Sequence, residues 1–75
     1  MKYLVIELQT NADGSVANIV TAYDNRNEAE SAYHLILSAA AVSALPYHAA
    51  MIVTNEAHVI AGSRYIHGVE PSPEE

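Results

Sequence analysis

A chain of 75 residues has room for one hydrophobic core, and this one holds no Phe, Trp or Cys, so aliphatic side chains and Tyr must fill it without a disulfide or a thiolate metal site. Three basic residues against nine acidic ones give a formal charge of −6, which repels a polyanion and argues against direct binding to DNA or RNA. No apolar run reaches the about 18 residues of a membrane span and the stretch from Met1 to Glu7 has no signal-peptide pattern, so the expected location is the cytoplasm.

From Lys2 to Thr10 the residues alternate, with Leu4, Ile6 and Leu8 on one side and Tyr3, Val5, Glu7 and Gln9 on the other. This predicts a half-buried strand whose core face is Leu4, Ile6 and Leu8. Asp13-Gly14 marks a turn, because both residues accept positive φ, and Val16 to Asp24 is a second strand. A two-residue turn there sets Leu8 against Ile19, Ile6 against Thr21 and Leu4 against Tyr23. Asn27, with Glu30 three residues on, has the spacing of a helix cap and predicts a helix from Glu28 to about Ala44, stopped by Pro46. Ala29, Ala32, Tyr33, Ile36, Ala40 and Ser43 share its packing face. Leu35 and Val42 on one flank and Leu37 on the other widen the apolar arc to about 220°, where about 100° serves a surface helix, so more than the sheet must cover it.

Tyr47 to Thr54 predicts a third strand, Asn55-Glu56 a turn, and Ala57 to about Ile66 a fourth strand interrupted by Gly62. A two-residue loop sets Ile52 against Val59, Ala50 against Ala61, Val53 against His58 and Met51 against Ile60. Both faces of this hairpin are apolar; the helix can take one, and the other needs a partner. Pro71, Pro73, Glu70, Glu74 and Glu75 make 68–75 a flexible acidic tail to a single domain of residues 1–67. Short, right-handed connections then predict an α+β fold of ββαββ order, one helix on a four-stranded antiparallel sheet of strand order 2-1-3-4.

The chemistry-bearing residues are sparse. His34, His48, His58 and His67 show no ligand spacing, so no metal site is expected. No nucleophile elbow, paired carboxylates or phosphate loop is present, and the expectation is a chain without catalytic residues or cofactor. Two constellations suit an anionic ligand. Arg26 with Asn25 stands just before the helix, and Tyr47 faces Arg64 across the second hairpin with Gly62 leaving space beside them. Of the two arginines, Arg64 has the better company. A homo-oligomer is expected from the apolar surplus, with Leu35, Val42, Met51 and Ile60 at the interface.

The start Met1 to Gly14, the stretch Ala22 to Ser31 and the run Pro46 to Ala50 together resemble a short uncharacterised family from phages and prophages of gut-type Gram-positive bacteria. The resemblance covers nearly everything before the tail and carries no catalytic motif. It implies a binder that blocks or sequesters a host component and identifies no ligand; the leading expectation is a homo-oligomeric binding protein of phage type in the host cytoplasm, holding a nucleotide signal or a host factor as a counter-defence device. The alternatives are a protein-interaction module without a small-molecule site and an acidic nucleic-acid mimic.

Overall fold

The computed structural model describes residues 1–67, and the tail expected over 68–75 lies outside them. The elements are β1 (Tyr3–Thr10), β2 (Val16–Tyr23), α1 (Arg26–Ala41), β3 (Tyr47–Thr54) and β4 (Val59–Ile66). All neighbouring strands are antiparallel in the order β2-β1-β3-β4, so the ββαββ fold and its strand order are those the sequence predicts. The core is Val5, Ala29, Tyr33, Ala50 and Ile52, flanked by Tyr3, Tyr23, Ala32, Ile36, Leu37, Ile60 and Ala61. Alanines at Ala29, Ala40 and Ala50, each almost wholly buried, let the helix approach the sheet closely.

The pairing registers differ from expectation, because each hairpin loop is one residue longer than a tight turn. In the first, Asn11 N–H donates to Ser15 O at 2.8 Å and Gly14 N–H to Asn11 O at 3.0 Å, with Gly14 at φ 90°. Ala12, Asp13 and Gly14 therefore form a three-residue loop, a turn closed by one left-handed residue. The Asp13 carboxylate fixes it by accepting from Ser15 N–H at 2.9 Å and Ser15 Oγ at 2.7 Å. The pairs become Leu8 with Asn18, Ile6 with Val20 and Leu4 with Ala22, one residue away from the expected set. A slip of one sends each β2 side chain to the opposite face.

In the second hairpin Thr54 N–H donates to His58 O at 2.9 Å, Ala57 N–H to Thr54 O at 3.0 Å, and Ala57 takes the left-handed φ of 67°. An irregularity between Ile52 and Val53 adds one more step, so Ile52 meets Ala61, Ala50 meets Ser63 and Met51 meets Gly62. From Ala61 onward this slip of two changes the partners and keeps the faces, whereas at the irregularity Val59 comes opposite Val53 and Ile60, expected beside Met51, packs against the core. Tyr47 lies opposite Ile66, and Arg64 opposite Ala49.

The buried face of β1 is also the reverse of the one expected. Val5 is 2% exposed and pairs with the fully buried Ile52 beneath the helix, whereas Leu8 on the other side is 37% exposed. Alternation separates two faces without saying which carries the helix, and here the helix side takes in Glu7 and Gln9 because β3 brings His48 to meet them.

The helix starts two residues early. Asn25, not Asn27, is the cap: its side-chain oxygen accepts from Asn27 N–H at 2.7 Å and Glu28 N–H at 3.2 Å. Both asparagines have a glutamate three residues on, so spacing alone does not choose between them. The helix also ends earlier, at Ala41, where Val42 and Ser43 N–H groups close the last turn on Ala39 and Ala40 carbonyls at 3.2 Å each. The Nε2–H of His67 donates to Ala40 O at 2.7 Å, satisfying that end further.

Candidate functional site

Four segments converge where the helix begins. The β1–β3 pairing sets Tyr3 beside Thr54. Lys2 N–H donates to Asn55 Oδ1 at 3.0 Å and Asn55 N–H to Lys2 O at 3.1 Å, which lashes the second hairpin loop to the start of β1. Thr54 Oγ1 accepts from Glu56 N–H at 3.3 Å and His58 N–H at 3.2 Å, so the loop presents its side chains from a fixed base. Arg26, the first helical residue, comes from the other side.

Between them lies a hollow of about 600 Å³ lined by Tyr3, Arg26, Thr54, Glu56 and His58, with Met1, Val59 and Ile60 as its apolar part. Arg26 Nε donates to Glu30 at 2.8 Å, an i,i+4 pair that orients the guanidinium. A fixed guanidinium beside an imidazole and a phenol suits an anionic group, the Glu56 carboxylate can accept from a donor on the same ligand, and the apolar wall suits a ring or chain. Asn25 contributes no contact here, since its side-chain oxygen is committed to the helix cap.

The second predicted constellation lies elsewhere. Arg64, Gly62, Leu8, Ala49 and Met51 line a shallower groove of about 280 Å³ on the face of the sheet opposite the helix. Tyr47 is on the same face but two residues along β3 from Ala49, the partner of Arg64, so the expected cross-strand pair is not formed. Gly62 is not there to leave space: a Cβ on it would meet Met51 Cβ at 3.7 Å, an ordinary contact. The four residues expected at an oligomer interface do not share one surface. Leu35 and Val42 are exposed on the helix, Met51 is on the open sheet face, and Ile60 packs against the core.

A third cluster was not legible in the sequence. His48 Nε2 and Glu7 Oε2 are 2.6 Å apart under the helix, and Gln9 Nε2 donates to the same carboxylate oxygen at 2.8 Å. Burial raises the Glu7 carboxyl, but the hydrogen bonds from His48 and Gln9 and the electrostatic attraction of His48 outweigh it, leaving the carboxyl below its ordinary value. His48 Nδ1 is buried with no hydrogen-bond partner. The pair lines neither the hollow nor the groove, and its contact ties β1 to β3. Among the described residues no group of three or more His, Cys, Asp or Glu stands together to hold a metal ion, and no helix is long and apolar enough to cross a membrane.

Of the parts of the hollow that sequence reasoning missed, Tyr3 stands 51 positions or more from Thr54 and His58, and those two flank a loop one residue longer than a tight turn. No protein-family model, curated protein or solved structure matches the chain.

Proposed function

We propose that the chain is a non-enzymatic binding protein that seats a small ligand, by an anionic group, in the hollow at the start of the helix. The observation that carries this reading is the hollow itself: about 600 Å³, with Arg26, His58 and Tyr3 beside the apolar Met1, Val59 and Ile60. Its size falls in the range of small-molecule sites, and its mixed lining has the usual division between burial and orientation. A nucleotide fits this chemistry, with phosphate at Arg26 and the base against the apolar wall. For a protein of phage type in a host cytoplasm, that capacity would serve to sequester a nucleotide signal. The ranking of the arginines is then the reverse of the one the sequence suggests, because Arg26 borders the larger and more polar site.

The second reading is a protein-interaction module without a small-molecule site, favoured by the apolar open face of the sheet. Calorimetry against a panel of cyclic and linear nucleotides separates the two. The first reading expects heat with at least one of them and a loss of roughly 1 to 3 kcal/mol in Arg26→Ala, as for a charged hydrogen bond, with Arg64→Ala little changed. No heat with any nucleotide, or a loss confined to Arg64→Ala, contradicts it.

A further inference from the structure

The helix covers one face of the sheet, and none of the described residues covers the other. On that open face Leu8 is 37% exposed, Val16 59%, Val20 53%, Tyr47 40% and Ile66 37%. Leu4, Ile6, Met51 and Val53 fill the middle, half-buried by one another. Along the strands this face carries a single charged residue, Arg64. Four strands about 4.8 Å apart and eight residues long at about 3.3 Å each make a face of about 19 by 26 Å. That is on the order of 500 Å² per copy in projection, or about 1,000 Å² for two copies, the lower end of specific interfaces.

We propose that this face is the interface between two copies of the chain, packed sheet against sheet about a two-fold axis. Charge selects the occupant. The chain carries a formal −6, and copies that meet at random bring carboxylates together. Among the described residues this face avoids that: Glu7 lies under the helix, Asp13 and Glu56 are in the hairpin loops, Glu28 and Glu30 are on α1, and Asp24, just past β2, is paired with Lys2. A basic partner would find no carboxylate along the strands of this face to hold it, and a nucleic acid or an anionic membrane would find one cation.

Shape points the same way. Two sheets pack face to face, about 30° apart, when their twists match, and a second copy has the same twist by identity. The groove of about 280 Å³ over Ala49 and Gly62 is flanked by Leu8 and Met51, a hole beside projecting side chains that a two-fold repeat can interdigitate. Arg64 sits on the edge strand β4, so its stem can lie on apolar surface while the guanidinium reaches water at the rim. Assembly through this face is independent of what the hollow holds.

Sedimentation equilibrium at micromolar concentration tests it. The wild-type protein sediments as a dimer, and Met51→Lys, at the centre of the face, weakens association roughly a hundredfold or more by burying a charge without a partner. Val20→Lys does the same from a position already 53% exposed, where the folded monomer tolerates it, so it decides the matter if Met51→Lys fails to fold. Ile19→Lys, on the helix side of β2, and Leu35→Glu, on the outer helix, leave the dimer intact. A monomeric wild-type protein overturns the proposal, as does a dimer that survives Val20→Lys. Dissociation by Ile19→Lys alone overturns it in favour of pairing along the β2 edge.

Discussion

At the scale of single residues, the Glu7–His48 contact is where solvent conditions act on the fold. Folded Glu7 holds its proton less readily than the unfolded chain does, so acid favours unfolding. Its stabilisation is complete above the ordinary carboxyl value of 4.5 and is lost as pH falls through the lower folded value. Urea midpoints measured from neutral pH downward should show the gap between wild type and Glu7→Gln narrowing below about pH 4.5. Glu7→Ala, which leaves His48 buried without any partner, should cost about 1 to 3 kcal/mol at neutral pH. A second residue-scale expectation concerns Ala57, whose φ of 67° places a Cβ-bearing residue in the left-handed region. Ala57→Gly should therefore raise stability by up to about 1 kcal/mol, seen as a higher melting temperature. Gly14→Val should do the opposite. Nothing lies within 4 Å of a Cβ at Gly14, so its loss, about 1 to 2 kcal/mol, comes from the backbone alone.

At the scale of elements, the helix cap gives a direct comparison. Asn25→Ala removes the acceptor of two N–H groups and should cost about 1 kcal/mol, while Asn27→Ala, inside the first turn, should cost little; thermal melts of the two variants check this. The elements themselves were legible in the sequence because their periodicities differ: two in the strands and 3.6 in the helix, where Ala29, Tyr33 and Ala40 are buried as the pattern requires. Registers were not legible. Asp13-Gly14 marks a turn but does not tell a two-residue loop from a three-residue one, and that single residue moves Leu8 from Ile19 to Asn18. Nor does alternation say which side of β1 meets the helix. Glu7 reads as solvent-facing until β3 supplies His48, a contact between residues 41 positions apart.

The whole molecule divides its tasks among its surfaces. The helix and one sheet face make the core, the opposite face is apolar and free of carboxylates along its strands, and the strand ends at the helix start border an open hollow. Of the candidate site, the sequence offered Arg26 alone. Its companions Tyr3, Thr54 and His58 come from other strand ends and reach it only once the loop around Ala57 has its full three residues. The most direct measurement is the perturbation of backbone amide resonances in isotope-labelled protein titrated with a nucleotide that gives heat in the calorimetric panel. Binding in the hollow predicts shifts clustered at Tyr3, Arg26, Thr54, His58 and Ile60, with Ala49, Gly62 and Arg64 unmoved. Shifts clustered at Ala49, Gly62 and Arg64 instead, with the hollow silent, would contradict it.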